Sequence, residues 1–302
     1  MSAIFARPLH DNELTSVFLK KVLGYRDCPE TGDLAVKITR AELLLDTMAA
    51  SDTLKRTNYR HPSYAKDEAR VDLRQQIFEE LISMQRPTSD DQISKGVGGI
   101  APPDGVITAT DKQAFILIGL PASGKSYASN TIADRYGAYI VDSDFAKRKF
   151  PEFKNEYGAA LVHEESTLVT FGSDDTRFAE EPNIIGFCTS QGANMVIPKI
   201  GAKAESIRNL RNTLIDKGYS VHLTLIKADR LCATKRALTR FEQTSRYVPI
   251  SLIFDGYSND PILTYYYTKN DPEWSSTGCI CTENTPTKKI ESTNDNPAEL
   301  FS

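Results

Sequence analysis

The residues with the clearest chemistry form one short segment, residues 119–126, with the sequence Gly-Leu-Pro-Ala-Ser-Gly-Lys-Ser. It matches the phosphate-binding pattern G-x-x-x-x-G-K-[ST] without substitution, between an apolar run typical of a strand and an amphipathic helical stretch. Glycines let backbone N–H groups point at phosphate oxygens, and the N-terminus of the following helix adds partial positive charge. The segment, called the P-loop below, therefore predicts a site for a nucleoside triphosphate.

The residue types of the P-loop predict separate tasks. We expect Lys125 to neutralise the β and γ phosphates of ATP and the Ser126 hydroxyl to ligate Mg²⁺. The other predicted ATP contacts are Gly119, Pro121, Ala122, Ser123, Gly124 and Tyr127. A glycine-rich surface turn with an unrelated lysine is the alternative, which the order of strand, loop and helix disfavours. ATP and Mg²⁺ are the predicted cofactors.

Two carboxylates, Asp142 and Asp144, follow the next predicted strand, at the sheet edge where ligands of open α/β folds bind. Transfer of a phosphoryl group to a hydroxyl uses carboxylates in two ways. One holds Mg²⁺ or its waters, and the other accepts the proton of the attacking hydroxyl. For Asp142 a helix N-cap before residues 145–150 is an equally good interpretation. We predict a metal or substrate contact for Asp142 and leave both interpretations open.

Three arginines follow the fourth predicted strand. Arg236 and Arg240 are four residues apart, which places them on one face of a helix, and Arg246 lies in the loop beyond. Such a group can close over the phosphates as a lid and stabilise the charge of the transferring phosphoryl group, an effect worth about 10³ to 10⁵ in rate. A basic surface helix paired with nearby acidic residues is the alternative.

Short apolar runs alternate with helical patterns after about residue 111, as a parallel sheet with crossover helices requires. The predicted strands are residues 114–118, 138–141, 194–197, 221–226 and 263–267. The predicted helices are residues 126–135, 158–171, 203–217 and 230–241. This pattern predicts an α/β fold in which a parallel sheet of the P-loop NTPase type is flanked by helices.

The rest of the chain suggests two further regions. Apolar residues at helical spacing predict an N-terminal helical region up to about residue 84, and the glycine and proline residues of 86–110 indicate a linker. We therefore divide the chain into a helical region with linker (1–110), a P-loop kinase domain (111–281) and a polar tail (282–302) that is predicted to be flexible.

Composition limits the classes of partner. The chain has 302 residues, 40% of them hydrophobic and 25% charged, as in an ordinary globular protein. No apolar run is long enough for a membrane span, and residues 1–7 lack the apolar run of a secretory signal, so a cytoplasmic location without membrane contact is predicted. The five cysteines show neither metal-ligand nor disulfide spacing. A formal charge of −4 makes nucleic acid an unlikely main partner.

The order of these motifs resembles the zeta-toxin family over about residues 113–256. The resemblance rests on the P-loop, Val-Asp-Ser-Asp at 141–144, Phe-Pro-Glu-Phe at 150–153, His-Glu-Glu-Ser at 163–166, Gly-Ala-Asn-Met-Val-Ile at 192–197, Lys-Gly-Tyr at 217–219 and the arginines. It implies a fold similar to phage polynucleotide kinase and the phosphorylation of a small molecule. UDP-N-acetylglucosamine is the best-known acceptor of the family, and a subgroup of bacterial effectors phosphorylates NAD on its adenosine ribose.

The resemblance also implies roles by position. Asp144 matches the family's general base, Lys125 its phosphate lysine, and Arg240 and Arg246 its lid arginines, so these four are the predicted catalytic residues. Glu164 or Glu165 matches an acidic residue on the following helix. The predicted substrate contacts are Asp142, Glu164, Glu165, Lys199 and Arg236.

Residues 197–201 depart from the family pattern. Typical members end this strand in Glu-Gly-Thr, which helps to hold the sugar-nucleotide acceptor, whereas this chain has Ile-Pro-Lys-Ile-Gly. Proline and isoleucine side chains cannot make those polar contacts. This ending, with the N-terminal helices, is similar to the effector subgroup, so the resemblance implies a nucleotide-like acceptor, with NAD ahead of UDP-N-acetylglucosamine.

Two other classes stay open. A nucleic-acid end kinase would need a positive groove with aromatic platforms, which the acidic composition disfavours. A regulatory NTPase is disfavoured because the guanine-reading motif Asn-Lys-x-Asp is absent from the sequence. For a toxin, the resemblance implies a cognate antitoxin that blocks the ATP site, and the effector subgroup implies delivery into a host or target cell.

Overall fold

The computed structural model describes residues 9–48, 52–87, 96–155, 158–244 and 247–302. Its centre is a six-stranded sheet with the order β2-β3-β1-β4-β5-β6. The strands are β1 Gln113–Ile118, β2 Tyr139–Ile140, β3 Met195–Lys199, β4 Ser220–Lys227, β5 Ser276–Cys281 and β6 Lys288–Ser292. Strands β1 to β5 are parallel, and β6 pairs antiparallel with β5 at one edge. The predicted α/β class is confirmed, with an antiparallel edge strand added to it.

Helices precede the sheet and connect its strands. Among the described residues, three α-helices lie before it: α1 Asn12–Val17, which continues as a π-helix at Phe18–Val22, α2 Pro29–Met48 and α3 Asp67–Ser83. The others are α4 Lys125–Tyr136, α5 Ser143–Lys147, α6 Gly158–Leu161, α7 His163–Phe171, α8 Ile184–Gln191, α9 Ala204–Asp216, α10 Arg230–Thr244 and α11 Asp260–Thr268. Among the described residues, no helix combines the length and apolar character that a bilayer crossing requires.

Alternate residues of β1 enter two separate cores, because successive side chains of a strand face opposite sides of the sheet. Ile116 and Ile118 pack with residues of α3, α7, α8 and α9 on one face. Phe115 and Leu117 pack with residues of α4 and of the C-terminal segment on the other face. Burial on both faces explains why β1 is a nearly continuous apolar run.

The N-terminal helices pack into cores that they share with the rest of the chain. Leu73, Ile77 and Leu81 of α3 belong to the core on the first face of the sheet. Residues of the π-helix and of α2 pack against α10 and the segment after it, where Phe18 meets Phe254 edge-on with ring centroids 5.3 Å apart. The predicted helical region is confirmed, and the boundary near residue 110 stays a prediction.

The glycine- and proline-rich segment before β1 is docked on the molecule where it is described. Ile100 is fully buried, and its carbonyl oxygen accepts from the Ile140 N–H at 3.3 Å. A Cβ on Gly99 would lie 2.2 Å from the Met84 carbonyl oxygen, so the chain passes too close to α3 for any side chain. The glycines that predict a loop thus also allow this close approach.

The fifth predicted strand, residues 263–267, is wrong. These residues lie in α11, which has Pro261 in its first turn. Leu263, Tyr266 and Tyr267 are exposed while Tyr265 is buried, so the apolar run that predicted a strand belongs to a helix with one buried face. The remaining parallel strand is β5, whose small and polar residues gave no apolar run in the sequence.

The segment after β5 is ordered, and the prediction of a flexible tail is wrong. It forms β6 and ends in a 3-10 helix at Pro297–Phe301. Phe301 packs in the core on the second face of the sheet. Asn296 is fully buried and accepts hydrogen bonds from the Thr224 hydroxyl at 2.9 Å and the Ala298 N–H at 3.0 Å. The polar composition that suggested fraying supplies these internal hydrogen bonds.

Candidate active site

The P-loop connects β1 to α4 at the carboxyl edge of the sheet. Gly124 has a φ of +94° and directly precedes α4, a conformation that favours glycine. A Cβ on Gly119 would lie 2.6 Å from the carbonyl oxygen of Ile226 in β4. α4 begins without a side-chain cap, so its first N–H groups lack the partner that such a cap would supply. These features fit a phosphate group, which binds to N–H groups at a helix N-terminus.

Lys125 lies folded over its own loop. Its Nζ donates to the carbonyl oxygens of Gly119 at 2.7 Å and Leu120 at 2.6 Å. Burial lowers the pKa of Lys125 to about 8, the charges of Asp142 and Asp144 oppose this shift, and the Arg240 charge adds to it. These interactions bring four of the predicted site residues into one electrostatic cluster beside the P-loop.

Asp142 caps α5 and belongs to the same cluster. Its Oδ1 accepts from the Asp144 backbone N–H at 2.9 Å, so the helix-cap interpretation describes its contacts. Burial and the neighbouring Asp144 charge raise the pKa of Asp142. A nearby cation relieves repulsion between two such carboxylates. The pair therefore fits the Mg²⁺ that Asp142 is predicted to hold with Ser126, which is exposed in the first turn of α4.

Asp144, the predicted general base, lies in the first turn of α5. Its Oδ1 accepts from Lys147 Nζ at 3.2 Å. α5 packs against α7, which brings His163 and Glu164 to this edge of the molecule. Burial lowers the pKa of His163, Lys147 lowers it further, and the charges of Glu164 and Asp144 oppose the shift. Glu164 is exposed, and its contact with the substrate stays a prediction.

Glu165 does not line this site. It is fully buried, and its carboxylate accepts from Arg70 at 2.9 Å, from Arg74 at 2.8 Å and from the Thr53 hydroxyl. The prediction that Glu165 contacts the substrate is therefore corrected: its charge is neutralised by arginines of α3. Adjacent residues of a helix point in different directions, and the sequence alone does not say which of Glu164 and Glu165 faces the protein interior.

The three predicted arginines have different positions. Arg236 donates to the Thr282 hydroxyl at 3.3 Å and also to the Thr282 carbonyl oxygen, so it contacts the segment after β5. Arg240 lies one turn later on α10, and its positive charge contributes to the lowered pKa of Lys125. Arg246 lies outside the residues that the structure describes, and its lid role stays a prediction.

Lys199 ends β3 in register with Ile118, the residue before the P-loop. The Gly119 N–H donates to the Ile200 carbonyl at 3.1 Å, which ties this strand end to the loop. Lys199 Nζ lies 3.3 Å from the centroid of the Phe171 ring. Burial lowers the pKa of Lys199 to about 8, and the charge of Asp142 opposes the shift. The strand end that departs from the family pattern thus brings a lysine to the charged cluster.

The other predicted ATP contacts line the loop or the start of α4. Pro121 and Ala122 lie in the turn itself, where Ala122 has a φ of +60°. Ser123, also a residue of the loop, is fully buried. Tyr127 is exposed and packs edge-on against Phe301, with ring centroids 6.0 Å apart.

One contact of the P-loop was missed in the sequence. The Thr282 hydroxyl donates to the Ser123 carbonyl oxygen at 2.6 Å. Thr282 lies far along the chain, in the segment that was predicted to be flexible, and no local pattern marks it. Only the pairing of β5 with β4 places it under the loop.

The loop, the strand order and the acidic strand end together define a P-loop kinase. This chain belongs to the zeta toxin family, whose model matches residues 106–259. Members of the family are ATP-dependent kinases.

The chain is also similar to solved structures. One comes from a characterisation of the PezAT chromosomal toxin-antitoxin system of the human pathogen Streptococcus pneumoniae, with 16% identity, 64% of this chain and 76% of that chain covered, and a TM-score of 0.45. A native AvrRxo1-ORF1:-ORF2 complex gives 19% identity, 82% and 74% coverage, and a TM-score of 0.47. The structure of AvrRxo1-ORF1:-ORF2 with ATP has 18% identity to this chain, covers 82% of this chain and 71% of that chain, and has a TM-score of 0.48. A search of curated proteins finds no match.

Proposed function

We propose that this chain is a zeta-toxin-type kinase that transfers the γ-phosphate of ATP to a hydroxyl of a nucleotide-containing metabolite. The favoured acceptor is an adenosine-ribose hydroxyl of NAD, and UDP-N-acetylglucosamine is the alternative. One observation carries the proposal: the P-loop follows β1 and the segment with Asp142 and Asp144 follows β2, so both lie at the carboxyl edge of one parallel sheet, where the charges of these carboxylates oppose the lowering of the Lys125 pKa. The group that binds phosphate and the carboxylates that can activate a hydroxyl therefore belong to one site.

The residues of the cluster suggest a mechanism. Asp144 orients the acceptor hydroxyl and takes its proton while the hydroxyl oxygen forms a bond to the γ-phosphorus. The bond between the γ-phosphorus and the β–γ bridging oxygen breaks, and ADP leaves with the electron pair. Lys125, Arg240 and Arg246 stabilise the negative charge of the transferring group. Ser126 and Asp142 would hold Mg²⁺, which supplies neutralisation of phosphate charge when it is bound.

Lys199 supports the proposed class of acceptor. Its ammonium group lies at the end of β3, where the negative charge of Asp142 opposes the lowering of the Lys199 pKa. At this strand end the sequence Ile-Pro-Lys-Ile-Gly replaces the polar residues that are typical of the family. A cation at this position suits an acceptor that itself carries phosphate. NAD and UDP-N-acetylglucosamine share a diphosphate, whereas nucleosides have none. We therefore place nucleosides behind these two acceptors.

We also propose a biological setting from family membership. A cognate antitoxin that covers the ATP site is the expected protein partner, and the protein is expected to act in the cytoplasm of its own cell or of a cell into which it is delivered. Co-purification of the chain with the products of neighbouring genes tests the partner, and loss of ATP binding in such a complex is the expected result.

Mass spectrometry of small molecules tests the reaction. The protein is incubated with Mg-ATP and a panel that contains NAD, UDP-N-acetylglucosamine, nucleosides and a short oligonucleotide. We expect one added phosphate on NAD. Asp144→Asn is the control: transfer should fall by about 10²- to 10⁴-fold, because the proton acceptor is lost, while ATP still binds.

Each other outcome has a defined meaning. Phosphate on the sugar nucleotide would select the alternative acceptor, and phosphate on the oligonucleotide would replace the proposal by a nucleic-acid end kinase. ATP hydrolysis without a modified acceptor would favour a regulatory NTPase. Undiminished transfer by the Asp144→Asn variant would remove Asp144 as the base.

A further inference from the structure

The segment directly after β5 contacts the P-loop from below. The Thr282 hydroxyl donates to the Ser123 carbonyl oxygen at 2.6 Å, and both residues are buried. The Thr282 methyl group also packs near the glycine that precedes α4: a Cβ on Gly124 would lie 3.3 Å from Thr282 Cγ2. Thr282 therefore touches the loop at the two residues where its backbone turns into the helix.

Two elements, β4 and α10, hold Thr282 in this position. Its backbone N–H donates to the Lys227 carbonyl oxygen at the end of β4, at 3.0 Å. Arg236 of α10 donates to its hydroxyl at 3.3 Å and to its carbonyl oxygen. The Lys227 carbonyl lies 3.3 Å from the hydroxyl, so the shorter bond to Ser123 is the favoured use of the single hydroxyl proton. Arg236 and β4 thus direct the hydroxyl toward the P-loop.

The contact fixes the orientation of one peptide group. In a trans peptide the C=O of one residue and the N–H of the next point in opposite directions. The bond to Thr282 holds the Ser123 carbonyl toward the protein interior, so the Gly124 N–H points to the opposite side. Backbone N–H groups at this position of a P-loop bind phosphate oxygens. Gly124 has a φ of +94° and no side chain, so its own conformational preference restrains this peptide little.

We propose that Thr282, held by Arg236, is a positioning residue for nucleotide phosphates: it sets the direction of the Gly124 N–H through the Ser123 carbonyl. The inference rests on the proposed function, because it takes the loop to be an ATP site. It also gives Arg236 an indirect role in place of the substrate contact that the sequence suggested.

Affinity for Mg-ATP, measured by titration calorimetry on the full chain, tests this inference. Thr282→Val keeps the shape of the side chain and removes the hydroxyl, so the Kd for Mg-ATP should rise by roughly five- to tenfold. Thr282→Ser keeps the hydroxyl and should restore affinity to within about threefold of the original. In the Thr282→Val background, Arg236→Met should weaken binding less than it does alone, because both side chains act through one contact.

Thr224→Val is the matched control. It also removes a fully buried threonine hydroxyl, which donates to Asn296 away from the P-loop. We expect a lower unfolding midpoint with an unchanged Kd. An unchanged Kd for Thr282→Val, or an equal loss in Thr224→Val, would overturn the inference. If the original chain binds Mg-ATP but phosphorylates no acceptor, the proposed function fails while the affinity pattern still decides the role of Thr282.

Discussion

Burial shifts the pKa values of single residues in the site as much as neighbouring charges do. Lys125 is the clearest case, because burial lowers its pKa to about 8 although two carboxylates act in the opposite direction. A lysine with an ordinary pKa would stay charged across the whole physiological range. The affinity of this site for phosphate should therefore depend on pH within an accessible window.

We expect ATP binding to weaken as pH rises above about 8, the pKa given by burial of Lys125. Bound phosphates favour the charged lysine, so above this pKa the free protein must take up a proton in order to bind. The logarithm of the Kd should then increase with pH, with a slope that approaches about one. Calorimetric titrations with Mg-ATP across this range provide the measurement.

Two variants assign the dependence to its residue. In Lys125→Arg the guanidinium stays charged, so the dependence above pH 8 should disappear. Lys199 has a similarly lowered pKa of about 8, and Lys199→Met should retain the dependence if Lys125 is responsible. A Kd that does not change with pH in the original chain would contradict the proposed role of the lysine charge.

At the scale of elements, a buried ion cluster joins α3 to α7. Arg70 of α3 pairs with Glu165 of α7 and with Glu152 at 2.8 Å, and all three side chains are almost fully buried. Arg74 adds a bond to Glu165 and pairs with Glu181. Removal of one partner from such a cluster leaves charges buried without compensation, which is more costly than loss of an exposed pair.

Arg70→Met is expected to lower the free energy of unfolding by about 3 to 5 kcal/mol, because Glu152 and Glu165 lose their shared partner. Arg177→Met is the matched control: Arg177 pairs with Asp175 on the surface, where its side chain is 70% exposed. The control should leave the free energy of unfolding almost unchanged, because exposed ion pairs contribute little. Urea unfolding measures both, and equal small effects would show that the cluster contributes little.

The C-terminal segment is a second element whose contribution can be measured. Asn296 donates to the Leu223 carbonyl and the Ser276 hydroxyl, and accepts from Thr224 and the Ala298 N–H. Asn296→Ala leaves buried polar groups without partners, so we expect a loss of about 2 to 4 kcal/mol in urea unfolding. Asn209→Ala, on an exposed face of α9, should be nearly neutral. A neutral Asn296→Ala would mean that the segment is not part of the stable fold.

At the scale of the whole molecule, the N-terminal helices and the sheet share cores. α3 lies in the core on one face of the sheet, and the π-helix after α1 packs together with α2 against α10, which carries Arg236 and Arg240. Elements that share a core tend to unfold together. The helices before the sheet should therefore stabilise both the site and the fold.

We expect a single thermal unfolding transition. Trp274, the only tryptophan, is buried beneath α11 and its Nε1 donates to the Thr268 carbonyl at 2.9 Å, so its fluorescence reports on the sheet-bearing part. Far-ultraviolet circular dichroism reports on all helices, including α1 to α3. The two midpoints should coincide. A helical transition that precedes the tryptophan transition would instead support a separate domain before residue 110.

The sequence by itself determined the parts of the protein that depend on local spacing. The P-loop requires eight consecutive residues after a strand, so its position and its helix follow from the pattern. The same holds for four parallel strands and for the carboxylates Asp142 and Asp144 at a strand end. These features needed no information about distant parts of the chain, because hydrophobic periodicity and turn chemistry act over a few residues.

Tertiary structure alone decided which charged residues reach the site. Glu164 and Glu165 are adjacent, yet only Glu165 is buried, where it pairs with the arginines of α3. Arg236 looks like a lid arginine by spacing, but the position of Thr282 beneath the P-loop gives it another partner. Both outcomes depend on contacts between residues far apart in the chain. Their cause is the cost of burying an unpaired charge, which the fold removes by pairing whichever groups its packing brings together.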